Sequence, residues 1–437
     1  MDLKERELRK FGLRIRLQQK PFRVLERLLQ TPGEFVPREE LARLLWPNLH
    51  VLFDRSLNTA VNALRRALGD DGRNPRFIET RLGLGYVFIA AVETLAEPAP
   101  TPRLPAERAS PHSPEAYQEY LKGRYFANKL TEPEIRKSVA YFESAIGRDP
   151  DFALAHAGLA DTWMLFAMYG LLPPADCLAR AGTSAETALR LDSTLAESHT
   201  SIARVQQLRD LDWKRAESSH RRALALNPND AAAHRQFALY RSALRRFEEA
   251  RREIGIAIDL DPLSLVVNMH FAWILWLARD FSAAAEQSWK TLAMEPRFAP
   301  AQNTLGLAYE QMGMLEEAMV EFENARVCSE NHPAALAALA HVLASAGKPA
   351  EAGESLAELK RTSETRYVSP YWFAVAHAGL GEDEIALASL ERGFAERDVW
   401  MTWIATEPRF DGLRHHPRFE KLAGGMGFAQ TIAAGHC

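Results

Sequence analysis

The apolar positions of the first ninety residues change their period several times. Leu8, Leu13, Ile15 and Leu17 alternate with Arg9, Arg14 and Arg16 on either side of Gly12, which predicts a period-two hairpin with a basic face. From Pro21 the period becomes helical. Phe22, Leu25, Leu28 and Leu29 share one face of PFRVLERLLQ, and Thr31-Pro32-Gly33 ends the run. A second helix opens at Pro37-Arg38-Glu39-Glu40 with Leu41, Leu44, Leu45 and Trp46 apolar, and Pro47 stops it. A third runs from about Arg55 to Leu68 behind Asp54 as N-cap, with Leu57, Val61, Leu64 and Leu68 as its buried stripe. Phe77–Arg81 and Gly85–Ile89, around Leu82-Gly83-Leu84, predict a closing hairpin.

Beyond residue 114 the pattern repeats. The expected ends of successive helical pairs are Pro150, Ser193, Pro228, Pro262, Pro296, Glu330, Glu364 and Asp398, and from Pro228 onward they are 34 residues apart. A small residue recurs near the start of each second helix (Ser138, Ala181, Ala216, Ala250, Ala284, Ala318, Ala352, Ala386). Another recurs in each first helix from Ala160 to Ala374. Two helices approach closely only where side chains are small, so this spacing marks repeated crossings. The second unit is longer than the period, and the surplus is expected near Gly170–Cys177. Val399–Phe428 falls outside the period and is expected to cap the last helix face.

Between these regions, residues 97–114 hold six prolines in eighteen positions. Proline fixes φ and removes a donor, so the run favours extended chain. The expected organisation is a first domain over 1–93, a Pro-rich linker over 94–113, a repeat domain over 114–398 in about eight units, and a cap and tail over 399–437. Charge divides the same way. The chain carries 53 basic and 57 acidic residues; residues 1–95 hold 17 basic and 12 acidic, which leaves 36 and 45 for the rest. The first part is therefore at +5 and the second at −9, which suggests that only the first meets a polyanion.

The outward face of the third helix carries Arg55, Asn58, Thr59, Asn62, Ala63, Arg65 and Arg66, with no acid between Asp54 and Asp70. Asparagine can bond adenine edges, and arginine can bond guanine edges or phosphates. The runs PREELARLLWP, DRSLNTAVNALRRALGDD and RFIETRLGLGYVFI resemble the winged helix-turn-helix effector domain of OmpR/PhoB-type response regulators, over about Leu3–Val92. The resemblance implies that the third helix enters the major groove and that the hairpin wing meets the minor groove or its phosphates. Arg55, Asn58, Thr59, Asn62, Arg65 and Arg66 would face double-stranded DNA, Arg38 and Arg81 its phosphates, and the Asn48–Phe53 loop RNA polymerase. No receiver domain is expected before this region, and one family strand is expected to be absent or misplaced at the start. Leu82 and Ala63 stand where basic residues are common in the family, which implies weaker affinity and a shallower salt dependence.

The 34-residue period resembles tetratricopeptide repeats, most cleanly over Ala299–Glu330 with Leu305, Gly306, Tyr309, Ala318, Phe322 and Ala325. The fold class expected is mainly α: a small α+β winged helix-turn-helix domain followed by an α-solenoid of these repeats. Stacked pairs form a concave face, and the resemblance places Arg204, Arg235, Met269, Trp273 and Leu307 along it as a groove for a protein or peptide partner with apolar side chains.

The common catalytic signatures are missing from the sequence. There is no GxxxxGK[ST], HExxH or GxSxG, and His415-His416 are adjacent and so do not share a helix face. No cofactor, metal or enzymatic activity is expected. The three cysteines are dispersed, with no CxxC pair, which suits a reducing compartment. Leu265–Ala278 is too short for a membrane span, and the amino-terminal MDLKERELRK lacks an apolar core. The expectation is a cytoplasmic, membrane-free, one-component regulator whose winged helix reads promoter DNA. Its solenoid would bind a protein or peptide or mediate self-association. The alternative is an interaction scaffold whose winged helix has lost specific DNA binding.

Overall fold

The computed structural model describes residues 8–10, 13–15, 19–45, 54–68, 70, 75–81, 84–90, 92 and 113–428, with side chains from residue 20 onward except 54–56, 66 and 67. The chain divides into two compact units, Met1–Pro102 and Arg103–Cys437. The Asn48–Phe53 loop, Trp46, Leu82 and the linker at 93–112 lie outside the described residues, as do the side chains of Arg55 and Arg66.

In the first unit, β1 (Leu8–Lys10) and β2 (Leu13–Ile15) form an antiparallel hairpin with Leu8 opposite Ile15. Three helices follow: α1 (Gln19–Gln30), α2 (Arg38–Leu45) and α3 (Asp54–Leu68). Between α1 and α2 lies β3 (Phe35–Pro37), where the sequence pattern assigns no element before Pro37 and takes Pro37 as a helix start. It pairs with β5 (Gly85–Phe88), which pairs in turn with β4 (Ile78–Arg81), all antiparallel in the order β3-β5-β4. Gly85 is required at that junction, since a Cβ there would stand 2.1 Å from the Val36 carbonyl oxygen. Leu25, Leu28, Leu41, Leu57, Val61 and Leu64 meet Ile78 and Tyr86 in one core. Each such leucine removed from water contributes about 1.5–3 kcal/mol. The expected apolar face of α2 holds for Leu41 and Leu45, but Leu44 points outward.

The second unit is a stack of eight antiparallel helical pairs among the described residues. They are α4 (Pro114–Ala127) with α5 (Glu132–Arg148), α6 (Ala153–Met168) with α7 (Pro174–Leu191), α8 (Ala196–Leu208) with α9 (Trp213–Leu226), and α10 (Ala231–Ala243) with α11 (Phe247–Leu260). The stack continues with α12 (Leu265–Leu277) and α13 (Phe281–Met294), α14 (Ala299–Gln311) and α15 (Leu315–Cys328), α16 (Pro333–Ser345) and α17 (Pro349–Thr365), and α18 (Pro370–Gly379) and α19 (Asp383–Ala395). The small residues singled out by their spacing, from Ser138 to Ala386, have no accessible surface. At Gly306 a Cβ would approach the Phe322 ring to 2.7 Å. The surplus of the second unit is not confined to a loop: α6 has 16 residues and α7 has 18, against 13 and 14 in α10 and α11.

The solenoid winds far enough to bring its ends together. Arg366, just before α18, pairs with Glu132 at the start of α5 at 3.0 Å and donates to the Tyr169 carbonyl at 2.9 Å. The segment after α19 does more than cap the last face. Its helix α20 (Pro417–Gly425) lies on α19, with Arg418 bonded to Glu391 and Glu384. The preceding turns, Val399–Trp403 and Pro408–Leu413, cross the interior as a strap. Trp400 Nε1 donates to the Met168 carbonyl at 2.9 Å, Gln207 to Thr402 at 3.2 Å, and Arg279 to the Thr406 carbonyl at 2.9 Å. The physical reason is the apolar content of the strap: Val399, Met401, Trp403, Ile404 and Phe410 are all buried, more than one helix face could cover. Two acids pin it. Glu407 is sealed in with Arg409 at 2.8 Å and accepts from the Tyr371 hydroxyl. Asp398 accepts from the Ser369 hydroxyl and the Trp400 amide, and burial raises its pKa to about 6.

Candidate nucleic-acid interface and solenoid cavity

On the first unit, α3 turns its apolar stripe inward and leaves Asn58, Thr59 and Asn62 exposed. Arg38, at the first position of α2, reaches over to this face. Its Nη2 donates to Asn58 Oδ1 at 2.9 Å and its Nη1 to the Tyr86 hydroxyl at 2.9 Å. Tyr86 completes the triangle by donating to the same Asn58 oxygen at 2.9 Å. A guanidinium only donates, so this contact fixes the Asn58 amide, oxygen inward and NH2 outward. The sequence pattern named Arg38 and Asn58 separately but gave no sign of Tyr86, which reads as a core aromatic of β5.

Arg65 is engaged within its own domain. Its Nη2 donates to the Ile78 carbonyl and to Thr80 Oγ1, both at 2.7 Å, so the side chain is laid along β4. Asp70, the first acid after Asp54, accepts from the amides of Arg76 at 2.6 Å and Ile78 at 2.9 Å. Together they fasten the wing to the end of α3. Arg81 stands exposed on the wing, 3.7 Å from Glu79. The structure thus gathers Arg38, Asn58, Thr59 and Asn62 on one face, sets Arg81 on the wing and lays Arg65 along β4.

In the second unit the strap leaves a cavity of about 670 Å³ against the concave face. Arg204, Arg235, Met269 and Trp273 line it. Leu307 does not: it has no accessible surface, and its carbonyl accepts from Trp276 Nε1 at 3.1 Å, so that position faces the neighbouring repeat. Trp273 is packed among Trp276, Trp400 and Trp403, with ring centroids 4.8 to 6.4 Å apart. Arg204 is paired with Asp161 at 2.8 Å. Arg235 makes no hydrogen bond or ion pair among the described residues. Burial and the neighbouring Arg204 push its pKa down to about 10. Among the described residues no cluster of three metal-ligating side chains occurs, and no helix is long and apolar enough to cross a membrane.

The first unit, with its β-hairpin, three helices and returning wing, is an OmpR/PhoB-type winged helix-turn-helix domain; the second is a tetratricopeptide-repeat solenoid. Residues 12–88 match the family described as "Transcriptional regulatory protein, C terminal", and residues 299–325 match "Tetratricopeptide repeat". The chain is 34% identical over 121 residues to the cholera toxin transcriptional activator of Vibrio cholerae serotype O1, a match covering 27% of this chain and 40% of that protein. It is 36% identical over 89 residues to the transcriptional regulator HilA of Salmonella typhimurium, covering 20% and 16% respectively. These relatives are therefore matched over less than half their own length. A solved tetratricopeptide repeat protein from Parabacteroides merdae aligns with 63% of this chain and all of its own, at 13% identity and a TM-score of 0.41.

Proposed function

We propose that this chain is a DNA-binding transcriptional regulator that acts in the cytoplasm, its winged helix reading promoter DNA and its solenoid serving as the regulatory half. The observation that carries the reading is the face on which Arg38, Asn58, Thr59 and Asn62 stand together beside Arg81 of the wing. Asn58 offers its outward NH2 to base acceptors, and Arg38, Arg81, Arg55 and Arg66 meet phosphates or guanine edges. The Asn48–Phe53 loop is the proposed contact for RNA polymerase. A protein partner or a second copy engages the solenoid.

The withdrawal of Arg65 onto β4, together with neutral Ala63, favours a second reading, a solenoid scaffold whose winged helix binds DNA without sequence preference. A salt series of mobility shifts on the gene's own upstream region separates the two. The regulator retards that region specifically at physiological salt. Retardation that is equal on unrelated DNA and erased by salt supports the scaffold instead.

A further inference from the structure

The strap changes what the concave face can hold. An extended peptide along the interior would compete with Trp400, whose indole is bonded to Met168, and with Thr402, bonded to Gln207. What remains free is a cavity of about 670 Å³, inside the ~300–1,000 Å³ range of small-molecule sites. Its wall is aromatic on the strap side, through Trp400 and Trp403, and aromatic and apolar on α12, through Trp273 and Met269.

The polar groups of the wall are unevenly satisfied. Asp161 is held by Arg204, and Asp230 accepts from the Ala232 and Ala233 amides at the start of α10. Glu197 is burdened by burial, which raises its pKa and weakens it as an anion. His270 donates through Nδ1 to the Val266 carbonyl at 2.8 Å, and burial and Arg235 push its pKa well down, so it is neutral. Three groups are left over: the indole N–H of Trp403 and Oδ1 of Asn303 are sealed without a hydrogen-bond partner among the described residues, and the half-buried Arg235 guanidinium lines the cavity without one. Two of these are donors, and one carries a full charge beside another arginine. A donor turned from water without a partner is destabilising, and a cation facing another cation adds to that. A bound oxyanion would relieve both that deficit and the Arg204–Arg235 repulsion.

We infer that the solenoid cavity is a binding site for a small organic carboxylate with a flat apolar body, its carboxylate on Arg235 and its body against Trp273, Met269 and Trp400. Because both the pairs lining the cavity and the strap that closes it contribute wall residues, an occupant bears on the set of the strap. Its use as an effector of transcription rests on the regulator reading; its binding does not.

Titration calorimetry of the full chain with phenylacetate, indole-3-acetate and benzoate, each beside its neutral carboxamide, tests the inference. At least one acid is expected to bind one-to-one, at least tenfold tighter than its amide, and to raise Tm by about 3 °C or more near saturation. Arg235→Gln is expected to abolish the preference for acid over amide, and Arg235→Lys to retain part of it, since a point charge replaces the planar fork. The inference is overturned if no acid outbinds its amide on the wild-type chain, a comparison that needs no variant, or if Arg235→Gln keeps the preference. Mobility shifts without any acid report on the winged helix separately. Lost DNA binding with an intact acid preference removes the regulator reading alone, and the converse removes the cavity.

Discussion

Arg38 donates through Nη2 to Asn58 Oδ1 across 2.9 Å, from the start of one helix to the exposed face of another. The bond has a chemical consequence. Bidentate recognition of adenine by asparagine needs both the amide oxygen and the NH2. Here the oxygen already accepts from Arg38 and Tyr86, so Asn58 presents donors only. Asn58→Ala should therefore weaken specific DNA binding by roughly tenfold and relax preference at one base position. Arg38→Ala should lower the slope of log affinity against log salt by about one phosphate and also loosen Asn58. Tyr86→Phe, which removes one of the two donors to Asn58, should cost a few-fold. Mobility shifts across a salt series on operator and unrelated DNA measure all three; an Asn58→Ala chain with unchanged discrimination would remove that residue from base readout.

Arg65 is expected to behave as a wing support. Arg65→Ala deletes both bonds to β4 and leaves the Ile78 carbonyl short of a partner. The loss should be about 1.5–3 kcal/mol, as for hydrogen bonds from a charged donor. It should appear as faster hydrogen exchange at the β4 and β5 amides of the full chain, with the salt slope of DNA binding unchanged. A slope reduced by about one unit would show that Arg65 meets a phosphate after all.

The turns between paired helices carry a second period. Leu211, Arg245, Arg279, Gly313, Gly347 and Gly381 all have φ between 54° and 76°, each 34 residues from the next. Residues with a Cβ are disfavoured there by about 1–2 kcal/mol, partly offset by the greater unfolded freedom of glycine. Arg245 has no side-chain hydrogen bond among the described residues and sits near Arg414. Arg245→Gly should raise stability by about 0.5–1 kcal/mol, or 1–3 °C in Tm. Arg279→Gly should lower it, because Arg279 holds the strap through Thr406 and Asp411. Thermal melts of the two variants, moving in opposite directions, are the check.

What the sequence discloses here depends on the range of the interaction. The stripe Leu57, Val61 and Leu64 and the small residues from Ser138 to Ala386 are legible because each is a local period imposed by one helix or one crossing. β3 is hidden because three residues beside Pro32-Gly33 carry no alternation, and only pairing with β5, fifty residues later, makes them a strand. Arg65 and Asp70 are read as a free cation and an acid because their partners are backbone groups of β4, which have no signature in the side-chain sequence. Leu307 and the strap fail together. Sequence spacing says which face of α14 a residue occupies, but not which chain segment lies across the interior. A clue was present in the density of aromatic residues at Trp400, Trp403 and Phe410, too great for a surface tail. The left-handed turns were half visible, in Gly313, Gly347 and Gly381.

His220 gives the solenoid a sharp dependence on acid. Its ring is sealed in, stacked on Phe237 with centroids 5.2 Å apart, and neither ring nitrogen has a hydrogen-bond partner among the described residues. Burial, then repulsion from Arg204 and Arg241, pushes its pKa from the ordinary 6.5 down to about 3. The native state thus refuses a proton that the unfolded chain accepts. Stability tied to the neutral ring is complete above pH 6.5 and drains away as pH falls toward 3. Between pH 7 and pH 4 the loss amounts to about 3 kcal/mol, taking 1.36 kcal/mol per unit. His220→Phe keeps the stack on Phe237 and Tyr240 and removes both orphaned nitrogens. Urea unfolding of the variant and the wild-type chain at a series of pH values should show near-parallel behaviour above pH 7. Below it, the wild type should fall increasingly behind, by about 3 kcal/mol at pH 4. Equal slopes in the two proteins would mean that His220 takes up its proton in the folded state and has found an acceptor or a water path to do so.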